Sequence, residues 1–218
     1  MTTGGRRAVG GFCADGRDDI GMCYPAERSV VDGATGDQMH VLDAGPREGT
    51  DGYWAPSGEP MVLPLPGEPV PGALWRSSGI LMVVAHGDRP RVVWRTEPED
   101  GANGGAALGD VDGTGEMAVG AAGFSDGFRC YAANTGELLW RRDGSSSPVS
   151  NALAVDVDGD GRDEFVWAEG ASVIAARDGA DLWQAEVAAT VRYLTPIRGD
   201  DRDGLLATCD DGVTYALW

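Results

Sequence analysis

Residues 130–140, C-Y-A-A-N-T-G-E-L-L-W, lie over residues 173–183, V-I-A-A-R-D-G-A-D-L-W, without a gap. Ala132 matches Ala175, Ala133 matches Ala176, Gly136 matches Gly179, Leu139 matches Leu182 and Trp140 matches Trp183, at an offset of 43 residues. Upstream, A-L-G-D-V-D-G-T-G-E at 107–116 lies over L-A-V-D-V-D-G-D-G-R at 153–162, with Asp110 over Asp156 at an offset of 46. Self-similarity at a fixed period of this size marks an architecture of repeated supersecondary units. Weaker copies flank the pair. Residues 8–24 share D-G-R-D-D/E with 160–164, residues 79–94 give two apolar runs ending in Trp94, and 191–217 carry G-D-D-R-D-G between apolar runs. The chain therefore divides into five units, approximately 8–49, 50–100, 101–147, 148–189 and 190–218.

Each unit reads as short strands. Val, Leu, Phe, Tyr and Trp fill runs of four to six residues bounded by D-G, T-G or G-S, and unit four places these at 152–156, 164–168, 172–176 and 181–187. No stretch holds a helical period for eleven residues, because Gly interrupts every candidate. Four antiparallel strands repeated at about 45 residues describe a blade, so the expectation is an all-β chain. The expected architecture is a single β-propeller over 1–218, built of about five four-stranded blades. The recurring Trp is expected to pack between blades. Residues 56–72 hold six of the twelve prolines, which remove ladder donors, and read as an insertion loop of unit two. Tyr215-Ala216-Leu217 match a third strand, and only M-T-T-G-G-R-R precedes the first strand. The propeller is accordingly expected to be incomplete or part of a larger ring with further blades.

The turn of unit four carries chemistry. In D-V-D-G-D-G-R-D-E at 156–164, Asp156, Asp158 and Asp160 stand at positions 1, 3 and 5, Gly161 at 6, Arg162 offers its carbonyl at 7, and Glu164 stands at 9. Five acidic side chains and one Arg crowd into nine residues, an unfavourable arrangement unless a cation is held. Several oxygens at variable spacing suit Ca²⁺ better than Mg²⁺. An EF-hand does not fit, since Trp167 stands where a bidentate Glu is needed and the flanks are strands. The other copies degrade. Unit three keeps Asp110, Asp112 and Thr114 but has Ala118 at position 9, leaving Glu116 as a substitute. Unit one keeps Asp15 and Asp19, with Gly11 and Cys13 at positions 1 and 3, and is expected to hold no metal.

D-V-D-G-D-G-R-D-E followed by an apolar strand resembles the FG-GAP/VCBS repeat, the calcium-loop blade of integrin α-type propellers and many bacterial surface proteins. Residues 11–20 resemble the same motif with two ligands lost, and T-G-E-L-L-W at 135–140 is similar to the Trp motif of quinoprotein-like (PQQ-type) repeats. The resemblance implies a propeller fold, bound Ca²⁺ and an extracellular or cell-surface setting. It does not choose among the lyases, adhesins, lectin-like modules and scaffolds built on such blades.

Composition narrows the function. The chain has 218 residues, 35 acidic and 17 basic side chains, a net charge of −18, and no Lys at all. That field argues against a nucleic-acid partner. No apolar run is long enough to span a membrane. With 42% apolar residues and seven Trp, a core is expected. Cys13, Cys23, Cys130 and Cys209 form no C-x-x-C and with two His assemble no zinc set. Four free thiols and one or two disulfides both fit, with buried strand residues the simpler reading. No signal-peptide h-region follows Arg6 and Arg7, so either the chain is cytoplasmic or its native start lies upstream.

Catalytic motifs are weak. G-F-S-D-G at 123–127 matches a nucleophile elbow, but a strand and not a helix follows, so Ser125 reads as turn chemistry. His86 lies in an H-G-D turn and is expected to be solvated. His40, in G-D-Q-M-H-V, is similar to a stretch of propeller-type rhamnogalacturonan lyases, and Arg89, Arg91 and Arg95 could form a patch for acidic sugars. A quinoprotein dehydrogenase would need eight blades and an adjacent Cys pair. The expected function is a non-catalytic, calcium-binding module that holds a carbohydrate or protein ligand through its blade loops. The alternative is the propeller portion of a calcium-dependent polysaccharide lyase.

Overall fold

Short apolar runs between Asp/Gly turns form strands wherever the chain is described. The structure is a computed structural model describing residues 6–13, 15–23, 28–42, 60–77, 80–86, 90–96, 105–123, 127–144, 150–199 and 202–218. Among them every regular element is a β-strand. The first sheet is β1 (Arg6–Gly10), β2 (Asp19–Cys23), β3 (Arg28–Val31) and β4 (Gln38–Leu42), and the second is β5 (Met61–Leu63), β6 (Gly72–Ser77), β7 (Ile80–Ala85) and β8 (Arg91–Arg95). The third is β9 (Ala106–Gly109), β10 (Ala118–Ala122), β11 (Phe128–Ala132) and β12 (Leu138–Arg142), and the fourth is β13 (Leu153–Val155), β14 (Glu164–Glu169), β15 (Ser172–Arg177) and β16 (Ala180–Glu186). The last has three strands, β17 (Val191–Ile197), β18 (Gly204–Cys209) and β19 (Thr214–Leu217). Each sheet is an antiparallel meander in chain order.

The chain forms two compact units, residues 1–99 with the first two sheets and 100–218 with the other three. In the first unit β1 lies beside β5, and in the second β9 lies beside β13 and β13 beside β17. Sheets thus meet through their first strands, as consecutive propeller blades do.

One irregularity recurs. Val30 pairs with His40, Val83 with Trp94, Cys130 with Trp140 and Ala175 with Trp183, and a register shift follows each pair on the third strand. The repeated Trp thus marks a conserved bulge position within this chain, which re-aims the fourth strand. His40 occupies the Trp position of the first blade. The D-G turn between β15 and β16 has Asp178 at φ 53° and Gly179 at φ 78°, the two left-handed residues a two-residue hairpin needs.

Trp140 packs between blades as expected. Phe128 stacks on Trp167 at 4.2 Å and on Trp140 at 5.6 Å, and Trp140 also meets Phe165 of the next blade at 6.2 Å. Each such ring pair contributes about 0.5–1.5 kcal/mol beyond area burial. Trp183 likewise packs on the core shared by the last two sheets, with Val191, Leu194 and Leu205.

Two expectations change. The Pro-rich stretch 56–72, read as an insertion loop, contains the strand β5. Met61–Leu63 fit between Pro60 and Pro64, and β5 is the edge strand of its sheet that among the described residues pairs only with β6, so the flanking prolines remove no needed donor. His86, read as solvated, is 3% exposed, with its ring 4.9 Å from that of Phe12 and 6.4 Å from that of Trp75. Packing of the first two blades covers the turn in which it sits. Ser125 and Arg89 lie outside the described residues. No described helix is long and apolar enough to cross a membrane.

Candidate metal centre

The 156–164 loop joins β13 to β14, and its carboxylates first organise its own backbone. Asp156 Oδ1 accepts N–H bonds from Gly159 (2.7 Å) and Asp160 (3.1 Å), and its Oδ2 accepts from Gly161 (2.9 Å). Asp158 Oδ1 accepts from Asp160 at 3.1 Å. Gly161 has φ 86°, the sharp turn expected of the sixth position. Glu164, the first residue of β14, is fully buried, and its Oε2 accepts the N–H of Val157 at 3.0 Å. Burial pushes the Glu164 carboxyl up to about 7.

Asp156, Asp158 and Glu164 each offer an oxygen within 4.8 Å of the other two. These hard donors fit a cation of the Ca²⁺ type in chemistry and in number for part of a coordination shell. Asp160 stands apart from this trio. It pairs with the guanidinium of Arg162, whose Nε is 3.0 Å from Oδ2, and with Arg177. The Arg162 guanidinium holds the Asp160 carboxyl far below the usual carboxylate range.

Arg177, at the end of β15, was not singled out by the motif. Its Nη1 donates to Glu164 Oε1 at 2.5 Å and to Asp160 Oδ1 at 3.1 Å, and its Nη2 lies 2.9 Å from Asp160 Oδ2 and 3.5 Å from Asp158 Oδ2. Its side chain is only 10% exposed. The second missed residue is Asp163. Its Oδ2 accepts the N–H of Asp110 at 2.9 Å, and its own N–H donates to the Asp110 carbonyl at 3.0 Å. This double contact ties the unit-four loop to the unit-three loop. The last two blades repeat half of it, with Asp203 N–H donating to the Asp156 carbonyl at 2.8 Å.

The unit-three loop copies the backbone geometry. Asp110 Oδ2 accepts from Gly115 at 2.9 Å, and Asp112 Oδ1 accepts from the Thr114 N–H at 3.0 Å and hydroxyl at 2.6 Å. The Thr114 bonds hold the Asp112 carboxyl below its ordinary value. Asp110 Oδ1 is buried without a hydrogen-bond partner. Glu116 is exposed, and its N–H donates to Thr114 Oγ1 at 3.3 Å. Among the described residues, acidic groups gather as a trio only in unit four. Ala118 leaves the ninth position of unit three without a carboxylate. In unit one, Asp19 is buried and accepts from the N–H groups of Cys13 (2.9 Å) and Gly33 (3.2 Å). Cys13, Cys130 and Cys209 are free thiols.

No protein-family model matches the chain, and no curated protein matches it in sequence. Solved structures do. BamB from Moraxella catarrhalis superposes with a TM-score of 0.67 at 18% identity, over 92% of this chain and 55% of that one. BBS1N, solved in complex with ARL6DN, gives 0.69 at 9% identity over 96% and 64%. Sqt1 of Saccharomyces cerevisiae gives 0.64 at 11% over 92% and 54%. This chain thus spans between about half and two thirds of the length of these three proteins. At such identities the likeness is one of fold, and with the blade-by-blade meanders it makes this chain a β-propeller.

Proposed function

We propose that the chain is a non-catalytic, calcium-binding propeller module of the FG-GAP/VCBS kind that binds a protein partner through its blade loops. The observation that carries the reading is the loop of unit four, where Asp156, Asp158 and Glu164 bring three hard oxygens together at a propeller turn. Bound Ca²⁺ would supply the positive charge that five acidic side chains in nine residues call for. Glu164 would anchor it from β14, and Asp156 and Asp158 would close on it from the turn. The orphaned Oδ1 of Asp110 supports a second, weaker position with Asp112, Thr114 and Glu116 in unit three.

Protein binding is supported by BBS1N, a propeller of similar fold solved with another protein on it. An extracellular or cell-surface setting suits a calcium loop of this composition. The lyase alternative has no support. The G-D-Q-M-H-V stretch has a simpler account as a blade repeat, with His40 standing in the Trp position of β4. Arg91, one of the three arginines of the suggested sugar patch, is paired with Glu68.

Isothermal titration of CaCl₂ into the chelator-stripped chain tests the reading. Binding heat is expected, with a rise in melting temperature. Asp158→Ala should lose most of both. A stripped chain that neither gives heat nor shifts its melting curve refutes calcium binding.

A further inference from the structure

We propose that Arg177 is a built-in counter-ion of the 156–164 loop and that Ca²⁺ binds there by displacing its guanidinium. The inference rests on the calcium reading above and names what regulates that site. Two of the three metal-competent carboxylates, Asp158 and Glu164, face the Arg177 guanidinium, at 3.5 and 2.5 Å. A guanidinium and a divalent cation at these carboxylates repel each other and draw on the same negative charge, so each weakens the hold of the other. Asp160 completes the grip on Arg177, at 2.9 Å, and is the carboxylate that stands outside the metal-competent trio. The loop therefore has two ways to be satisfied. In one, Arg177 bridges Asp158, Asp160 and Glu164. In the other, the cation gathers Asp156, Asp158 and Glu164 while Arg177 withdraws.

Strand register builds this competition in. Phe165 pairs with Ala176 across the β14–β15 hairpin, so Glu164 and Arg177 are the next opposed pair. Arg177 is thus delivered to the loop by the blade itself. In unit three the residue opposite the ninth position, Ala118, is Ala132, so that strand position supplies its loop with no such competitor. The consequence is a calcium affinity scaled down in proportion to the fraction of molecules in which Arg177 is withdrawn.

The test uses the full chain stripped of divalent ions, with CaCl₂ titrated into wild type, Arg177→Gln and Arg162→Gln and melting curves recorded with chelator and with calcium. Arg177→Gln should bind calcium about tenfold tighter, as expected if the closed state holds about nine tenths of the molecules. It should also melt lower without calcium and gain more on adding it. Arg162→Gln removes the same charge from beside the same carboxylates, but its guanidinium pairs with Asp160 and is 40% exposed, so its gain should stay within about threefold. Calcium binding by Arg177→Gln no tighter than by Arg162→Gln overturns the displacement and leaves the calcium reading intact. Absence of binding in every variant overturns both. If Arg177→Gln fails to fold without metal, Arg177→Lys keeps a cation but loses the fork. It must then bind calcium tighter than wild type, and equal or weaker binding overturns the proposal.

Discussion

Replacing Asp163 with Ala separates the role of this residue from that of the metal loop it borders. The substitution deletes the carboxylate oxygen that accepts the Asp110 N–H at 2.9 Å, while the backbone bond from residue 163 to the Asp110 carbonyl at 3.0 Å remains. Loss of a charged acceptor from a half-buried N–H costs about 1.5–3 kcal/mol. Part of this is offset, because burial pushes the Asp163 carboxyl up and the charges of Asp110 and Asp156 push the same way, so the ionised form is already penalised. Relief of that penalty offsets part of the cost. The expected net loss is about 1–2 kcal/mol, or roughly 2–8 °C in melting temperature for a chain of this size. Asp163→Asn keeps an oxygen at the same reach and removes the repulsion, so it should stay within about 0.5 kcal/mol of wild type. Urea unfolding followed by circular dichroism, in excess chelator, measures both, and hydrogen exchange at the Asp110 amide should quicken in Asp163→Ala alone. If Asp163→Ala matches wild type, or Asp163→Asn falls as far as Asp163→Ala, the tie between neighbouring loops contributes nothing and the reasoning fails.

Two further outcomes follow from the interior of the second unit. A methyl at Gly120 would fall 2.5 Å from Phe165 Cδ1 and 2.6 Å from Phe128 Cζ, so Gly120→Ala should lower stability by about 1–3 kcal/mol. Phe165→Leu in the same chain should make the Gly120→Ala step cheaper, and urea midpoints of the four proteins would expose a cost that does not shrink. Cys130 is fully buried, and burial pushes its thiol up from 9.0 to about 12. The folded chain thus favours the protonated thiol, so its contribution is intact below pH 9 and is lost as pH rises from 9.0 towards about 12. Cys130→Ala should remove up to about 1.4 kcal/mol per pH unit from the alkaline slope of stability, and an unchanged slope would contradict the burial argument.

The blade was legible because its signals are local. Short apolar runs, D-G and T-G turns and the recurring Trp all reside within one repeat, and the four-strand meander follows from them. The loop geometry was legible for the same reason, since Asp156, Asp158 and Gly161 act on backbone groups at most five residues away. Arg177 escaped because it stands 13 residues beyond Glu164 and no ligand spacing contains it. The signal that reveals it is the hairpin. Once 164–168 and 172–176 are strands joined by a tight turn, antiparallel pairing sets Glu164 opposite Arg177. His86 was not recoverable in this way, because its burial depends on Phe12 and Trp75 from two blades. The strand Met61–Leu63 was hidden by an argument that holds for central strands and fails at an edge.

The absence of Lys acquires a physical sense from these contacts. Arg142 forks onto Asp181 at 2.6 and 3.0 Å, reaches Glu169 at 3.2 Å, and lies 5.5 Å from the Trp167 ring. Arg177 bridges three carboxylates. With 35 acids and only 17 bases, a cation that serves several anions is favoured, which a planar five-donor guanidinium does and an ammonium point charge does poorly. The acids left over are held by backbone N–H groups, three on Asp156 alone. Hydrogen bonds of that kind satisfy a carboxylate without neutralising it. The negative potential therefore stays concentrated in the turn loops, where a small mobile cation can still compete for oxygens that a tethered arginine already holds.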